Sequence, residues 1–86
     1  MEKYTKKEFK KFSLNTRYKL LKQDGEYLGT RLFGSHRVSL YAIYGFFVEM
    51  WIILFLDKVQ WIEIQENQSI INEYIKDLDI KKDLNL

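Results

Sequence analysis

Two opposite charges, Arg31 and Glu49, lie in segments that are otherwise rich in aromatic and branched apolar side chains. Such segments predict β-strands, and the dipeptides between them, Gly34–Ser35 and Tyr44–Gly45, predict two-residue hairpin turns. These turns pair Leu40 with Glu49 and place Arg31 two strands from the carboxylate. A long side chain spans that distance, so the sequence predicts that the two charges meet on one sheet face.

The face that carries these charges mixes large rings with small residues. Strict alternation along three strands places nine residues on it: Tyr27, Gly29, Arg31, Val38, Leu40, Ala42, Phe47, Glu49 and Trp51. Such a face can bind a small ligand, because rings supply contact area and charges fix orientation. The alternative is a half-buried ion pair within a protein interface. The candidates for either role are Tyr27, Arg31, Leu40, Phe47, Glu49 and Trp51.

Other chemistry has no recognisable residue pattern in this sequence. His36 is the only histidine and follows a predicted turn, and the chain contains no cysteine. Neither a zinc site nor an activated nucleophile is therefore indicated. Phosphate-binding loops and dinucleotide fingerprints are also missing from the sequence. We expect no catalytic residue, no bound metal and no cofactor.

Basic residues are concentrated in the first half of the chain. Residues 1–37 carry ten Lys/Arg and four acids, a balance of +6, whereas residues 38–86 carry four Lys and eight acids, a balance of −4. A lysine-rich helix can contact nucleic-acid phosphates. The basic residues spread around more than one helical face, however, and no RNA-binding motif is present. Nucleic-acid binding by the N-terminal helix is therefore a further alternative and not the leading hypothesis.

The elements that must position the candidate residues follow from local patterns. A capping box from Thr5 to Glu8 starts a helical segment over residues 5–23, with a break expected near Ser13 and a stop at Gly25. Residues 26–66 predict four antiparallel strands, and residues 67–78 predict a helix capped by Asn67 or Ser69. Residues 79–86 are expected to be a frayed tail. The chain is thus predicted to be a single α+β domain in the order α-β-β-β-β-α, a meander with its helices on one face.

The run of 19 residues from Val38 to Leu56 is apolar enough to be compared with a membrane span. Gly45 and Glu49 interrupt it, and it is richer in aromatic and β-branched residues than in leucine. The glycine divides it into two pieces of strand length. We therefore interpret the run as a hairpin and expect no membrane span.

Both faces of the strand that begins at Phe46 are apolar, so both faces require cover. The predicted helix-covered core contains Leu28, Tyr41, Ile43, Phe46, Val48 and Met50. Two short helices are expected to cover only this face, which leaves the face around Glu49 to a second copy of the chain. The hairpin tip that follows is apolar as well, and its four residues either contact a protein partner or fold back over the core of the same chain: Ile53, Leu54, Phe55 and Leu56.

The segment "RVSLYAIYGFFVEMWI", preceded by "YLGTR" and followed by "WIEI", resembles small uncharacterised bacterial proteins with an LY…GFFVE.W hairpin. The resemblance covers residues 20–75 and lies in core residues. It implies a soluble bacterial α+β protein and no particular activity. The sequence departs from the pattern at "IILFL", where a polar turn would be expected.

The leading hypothesis from the sequence is a cytoplasmic, non-enzymatic module that forms a homodimer through its second sheet face. Trp51, Phe47 and Leu40 would form the apolar centre of that interface, with Arg31 and Glu49 fixing its register. The alternative is a small-ligand-binding or enzymatic domain that uses the Arg31/Glu49 face. The two hypotheses differ in whether that face is packed or forms an open concavity.

Overall fold

The computed structural model describes residues 3–75. Its elements are α1 (Lys6–Lys11), α2 (Leu14–Asp24), β1 (Glu26–Phe33), β2 (His36–Ile43), β3 (Phe46–Ile53) and β4 (Lys58–Ile64), followed by α3 (residues 68–75). The four strands form one antiparallel sheet in the order β1-β2-β3-β4. This is the predicted α+β meander. The predicted helical residues 76–78 and the predicted tail 79–86 lie outside the described residues.

Helix boundaries follow the capping signals of the sequence. Thr5 and Glu8 form the predicted capping box, in which the Glu8 amide donates to Thr5 Oγ1 at 3.1 Å and the Thr5 amide donates to Glu8 Oε1 at 2.9 Å. Ser13 caps α2 by accepting from the Thr16 amide. Asn67 Oδ1 accepts from the amide of Ser69 at 3.0 Å and so caps α3. Each cap satisfies backbone donors that a helix start leaves free.

The hairpin register agrees with the predicted turns. Leu40 lies opposite Glu49, and Arg31 lies opposite Val38. Gly45 has a φ of 87° and Tyr44 a φ of 52°, the left-handed conformation that a tight two-residue turn requires. Tyr44 is unusual here, because residues other than Gly, Asn and Asp seldom adopt the left-handed conformation. Its ring lies 5.5 Å from Tyr4, edge to face, and its hydroxyl donates to Asp24, contacts that hold it there.

A β-bulge in β1 places two side chains, Tyr27 and Leu28, on the sheet faces opposite to those predicted. Tyr27 lies opposite Tyr41, whereas Gly29 lies opposite Leu40, so Leu28 is an extra residue in the ladder. The bulge reverses the alternation at that point. Tyr27 therefore lies on the face of Tyr41, with the two rings 5.7 Å apart. Leu28 packs instead with Leu40 on the opposite face.

The first sheet face is covered by α1 and α2 as predicted. Its buried core joins Phe9 and Leu21 of the helices to alternate residues of three strands, namely Ile43, Phe46, Val48, Met50, Ile52 and Ile62, together with Tyr44 at the turn. Ile62 and Val48 have no exposed surface. Each such side chain contributes about 1.5–3 kcal/mol through burial. This face therefore supplies most of the apolar core.

The expectation that both terminal helices cover the same face is wrong. Helix α3 lies on the second face, where Ile71 and Tyr74 form a buried cluster with Leu40. Leu28, Phe47, Ile70 and Ile75 pack around this cluster. The chain turns back after Ile64 and carries α3 across the sheet, so its own helix covers much of the face that was assigned to a second copy.

Candidate functional site

Glu49 is the centre of a polar cluster beneath α3. Its side chain has no exposed surface, and it accepts three hydrogen bonds. The Tyr74 hydroxyl donates to Oε2 at 2.7 Å, Gln65 Nε2 donates to Oε1 at 2.7 Å, and Arg31 Nη2 donates to Oε2 at 3.3 Å. Arg31 Nε also donates to the Tyr74 oxygen at 2.9 Å. Both carboxylate oxygens of Glu49 therefore accept hydrogen bonds from neighbouring side chains.

Three features of the fold assemble this cluster. The hairpin register places Arg31 and Glu49 on the same face, two strands apart, as predicted. The segment after β4 brings Gln65 beside β3, where its amide donates to the Phe47 carbonyl at 2.9 Å. Gly29 has no side chain under α3, and a Cβ there would lie 3.5 Å from Tyr74 Cδ1. The Tyr74 side chain therefore packs close to the β1 backbone at Gly29.

The electrostatics of the cluster favour a fixed protonation pattern. Burial, reinforced by the hydrogen bond to Glu49, raises the pKa of the Tyr74 phenol. Burial by itself would lower the pKa of Arg31, but the hydrogen bonds and charges of Tyr74 and Glu49 outweigh it and raise that pKa. Tyr74 therefore stays neutral and donates to Glu49 while it accepts from Arg31. A buried charge paired in this way avoids the cost of an isolated one.

The geometry of Glu49 gives it no route to a substrate. Both of its oxygens are occupied, and the only exposed member of the ion pair is Arg31, with 24% of its side chain accessible. An enzyme needs its acid or base within hydrogen-bonding distance of the reacting group. The arrangement instead fastens α3 to the sheet, because Tyr74 donates one hydrogen bond to Glu49 and accepts another from Arg31.

The other predicted site residues have separate positions. Leu40 is fully buried under α3, and Phe47 is half-buried beside it. The Tyr27 hydroxyl shares a hydrogen bond with Thr30 Oγ1 at 2.6 Å on the opposite face. Trp51 lies beyond α3, with its ring 5.8 Å from Phe33. The predicted set is thus divided among a buried cluster, the other face and one end of the sheet.

Sequence reasoning missed Tyr74 and Gln65 as partners of Glu49. Tyr74 lies in the helix predicted over residues 67–78, beside the apolar residues Ile71 and Ile75, and had no assigned role. The available signal was its hydroxyl, because a tyrosine in a buried stripe requires a hydrogen-bond partner. Gln65 carried no comparable signal, since polar residues commonly follow an edge strand.

Arg17 belongs to the basic N-terminal helical segment considered for nucleic-acid binding, but it is buried. Its Nη1 donates to the Ile62 carbonyl at 2.6 Å and its Nη2 donates to the Lys10 carbonyl at 2.7 Å. Its guanidinium also lies over the Trp61 ring at 4.9 Å. Arg17 therefore protects the outer edge of β4 and is removed from any nucleic-acid surface.

The end of the sheet that carries the β1–β2 turn and the β3–β4 turn is apolar and exposed. Leu32 is 70% exposed and Phe55 is 84% exposed. Phe33, Leu54 and Leu56 are exposed beside them. Of the predicted tip, Ile53 alone is half-buried. Exposed apolar residues grouped at one end of a sheet mark interaction surfaces more often than singly scattered ones do.

A shallow cleft lies at the opposite end of the sheet, with a volume of about 490 Å³. Lys3, Asp24 and Glu26 lie at its mouth, and Tyr44 forms part of its wall. Within residues 3–75, no three His, Cys, Asp or Glu side chains are grouped so that they could hold a metal ion. The cleft is therefore lined in part by charged side chains.

Comparison of the chain with models of protein families, with curated proteins and with solved structures finds no match in any of the three. Across the part of the chain that the structure describes, no helix has the length and apolar character needed to cross a membrane. The resemblance to small bacterial proteins with the same hairpin pattern stays a prediction. Functional inference therefore depends on the surfaces and contacts described above.

Proposed function

We propose that this protein is a small non-enzymatic interaction module that pairs with a second copy of itself through the outer edge of β1. The observation that carries the proposal is the difference between the two edges of the sheet. Among residues 3–75, Arg17 covers the outer edge of β4, whereas β1 ends the sheet on the other side and has its bulge only at Leu28, which leaves residues 29–33 in regular pairing with β2. An apolar edge strand without protection is a template for pairing with another chain.

The side chains of β1 support this assignment. Tyr27, Leu32 and Phe33 are all more than half exposed, which is unusual for three large apolar residues in an eight-residue strand. Its only charged residues are Glu26 and Arg31. Lysine and proline, which commonly block edge pairing, do not occur in the strand. The edge can therefore accept a partner strand without burying an unpaired lysine.

The charge order of β1 favours a second copy in the antiparallel orientation. Glu26 begins the strand and Arg31 lies near its end. Antiparallel pairing about a two-fold axis places the start of one strand beside the end of the other. Opposite charges then approach each other, and Tyr27 of one copy approaches Leu32 of the other. A continuous eight-stranded sheet would result.

This proposal keeps the expected homodimer but moves its contact surface. The sequence hypothesis centred the interface on Leu40, Phe47 and Trp51. Helix α3 lies on Leu40, so the face around it is occupied within the same chain. Trp51 and Phe33 lie beyond α3 and can extend the β1 contact on that side.

The alternative of a ligand site or active site at Arg31 and Glu49 has less support. It required an open concavity, and the carboxylate is instead packed under Tyr74 and Gln65. Nucleic-acid binding also has less support, because Arg17 is buried and Lys6 forms an ion pair with Glu66 at 3.1 Å. A cytoplasmic location and a bacterial origin stay predictions.

The proposal is tested by the molar mass of the protein in solution. Light scattering coupled to size exclusion across a concentration series should give a mass approaching twice the 10.5 kDa of one chain. Leu32→Lys places a charge on the pairing edge and should weaken dimerisation by about ten-fold or more. Phe55→Lys is the matched control, because it changes an even more exposed apolar residue outside β1.

Two results would contradict the proposal. One is a mass of 10.5 kDa at every concentration. The other is a dimer that survives Leu32→Lys but dissociates in Phe55→Lys, which would place the contact at the β3–β4 turn. Circular dichroism of both variants establishes that each is folded, and the exposure of both residues makes large losses of stability unexpected.

A further inference from the structure

The turn between β3 and β4 has an unusual composition. Turns that join strands are commonly built from Gly, Asn, Asp, Ser and Pro, but this one begins Leu54–Phe55–Leu56 before Asp57. All three apolar side chains are exposed, and Phe55 has the largest exposed fraction of the large hydrophobic residues described. We refer to residues 54–56 as the apolar turn. Exposing three such residues side by side has a free-energy cost that a binding partner would remove.

Backbone hydrogen bonds hold the apolar turn in place. The Leu54 amide donates to the Ser35 carbonyl at 3.0 Å, which joins the two hairpin turns at this end of the sheet. The Asp57 amide donates to the Leu54 carbonyl at 3.3 Å, and Asp57 adopts a left-handed φ of 49°. The three side chains are thus presented by an ordered segment, so binding requires little additional ordering.

The size of the apolar turn argues against a stable protein interface centred on it. A standard interface uses roughly 20–30 residues on each side, whereas the apolar turn offers three, and five if the exposed Leu32 and Phe33 at the same end are added. A lipid interface has no such requirement, because a projecting apolar segment can enter between headgroups without a complementary pocket. The shape therefore fits a lipid surface better than a second copy.

The charges beside the apolar turn select the kind of lipid. Arg37 and Lys58 flank it, and the one adjacent acid, Asp57, lies 3.5 Å from Arg37. The local balance is positive, as is that of residues 1–37 as a whole. Anionic headgroups attract basic residues that lie next to the inserted segment.

We propose that the protein binds the surface of anionic lipid membranes by inserting the apolar turn among the headgroups. Leu54, Phe55 and Leu56 enter the interface, and Arg37 and Lys58 contact the anionic headgroups. The protein then lies on the bilayer surface and does not span it. This inference does not depend on pairing through β1, because the turn and the β1 edge are different surfaces.

Sedimentation with vesicles tests the proposal on the full chain. Vesicles of equal parts phosphatidylcholine and phosphatidylserine should sediment the protein, and added salt should weaken the binding. Phosphatidylcholine vesicles should bind it weakly. Phe55→Ser should lower the partition coefficient by about ten-fold, the loss expected for removing most of one buried aromatic side chain. Tyr18→Ser, which changes an exposed aromatic residue of α2 outside both the apolar turn and β1, should leave the partition coefficient unchanged.

Three outcomes would overturn the proposal. The protein could remain in the supernatant with the anionic vesicles. It could bind them equally well after Phe55→Ser, which would assign binding to the lysine-rich helices alone. It could also fail to bind vesicles while Phe55→Ser changes its molar mass, which would identify the apolar turn as a protein contact. The mass measurement is made independently of lipid, so failure here is distinguishable from failure of β1 pairing.

Discussion

At the scale of single residues, Tyr74 forms hydrogen bonds with both charged residues of the buried cluster, Glu49 and Arg31. Its hydroxyl donates to Glu49 and accepts from Arg31 Nε, so one proton fixes the direction of both hydrogen bonds. Removing the oxygen leaves Glu49 with two donors in a site that water does not enter. The energetic role of Tyr74 is therefore larger than that of its ring alone.

We expect Tyr74→Phe to lower the free energy of unfolding by about 1.5–3 kcal/mol, the range for a hydrogen bond to a charged group. Urea denaturation at neutral pH measures the change. Tyr18→Phe is the control, because its hydroxyl lies on the exposed surface of α2 and its loss should change stability by less than about 0.5 kcal/mol. Equal effects of the two substitutions would show that the Glu49 cluster does not stabilise the fold.

The same contacts predict a loss of stability in alkali. Burial, together with hydrogen bonds to Glu49 and Asp24, raises the pKa of Tyr74 and of Tyr44 above the ordinary value near 10. Above about pH 10 the unfolded chain releases phenolic protons that the folded protein retains. Stability is therefore complete below that pH and falls as the pH rises further.

Urea denaturation across the alkaline range checks this pH dependence. The slope above about pH 10 should be shallower in Tyr74→Phe than in the parent chain, because one of the raised phenols is gone. Tyr18→Phe should retain the full slope. An unfolding free energy that stays constant through this range in the parent chain would contradict the assignment of raised pKa values.

Elements join at two glycines that have different physical roles. Gly25 ends α2 in an extended conformation, and a Cβ there would lie 2.6 Å from the Leu21 carbonyl oxygen. Gly29 lies beneath α3, where a Cβ would make an ordinary contact of 3.5 Å with Tyr74. The first position excludes a side chain through backbone crowding. The second admits a methyl group and excludes larger groups.

We expect Gly25→Ala to lower the free energy of unfolding by about 1–3 kcal/mol, as overpacking against backbone does. Gly29→Ala should be close to neutral, since it also reduces the entropy of the unfolded chain. Thermal and urea denaturation of both variants compare the two positions directly. A larger loss at Gly29 than at Gly25 would mean that α3 lies closer to β1 than the contacts indicate.

Arg17 joins three elements and so acts at the scale of the whole molecule. It lies on α2, and its guanidinium donates to carbonyls of α1 and β4 while it lies between the rings of Phe9 and Trp61. The Arg17 side chain lies beside the outer edge of β4. Without its guanidinium, the Ile62 carbonyl at that edge would lose its hydrogen-bond donor. This contact closes one side of the sheet, and among residues 3–75 β1 is the open side.

We expect Arg17→Met to lower the free energy of unfolding by about 2–3 kcal/mol, because two charge-assisted hydrogen bonds to backbone carbonyls are lost while most of the side-chain volume remains. It should also increase aggregation through the exposed β4 edge. Lys19→Met, on an exposed part of the same helix, is the control. Denaturation and light scattering measure the two effects, and a change no larger than that of Lys19→Met would remove Arg17 as the edge-protecting residue.

Local sequence signals determined the elements of this fold because their causes lie within a few residues. Side-chain caps at Thr5, Ser13 and Asn67 set helix starts, and turn residues around Gly34 and Gly45 set the hairpin register. That register was enough to bring Arg31 and Glu49 to one face.

Long-range packing decided what the sequence pattern could not. Whether α3 lies on the first or second face depends on contacts between Tyr74, Glu49 and Gly29, residues up to 45 positions apart. The bulge that turned Tyr27 to the other face depends on how β1 fits the twisted sheet. The sequence by itself therefore specified the strands, their order and the charge pair. The tertiary structure decided that Glu49 is buried under the chain's own helix, and that β1 and the apolar turn carry exposed apolar side chains, because burial is set by which distant elements pack together.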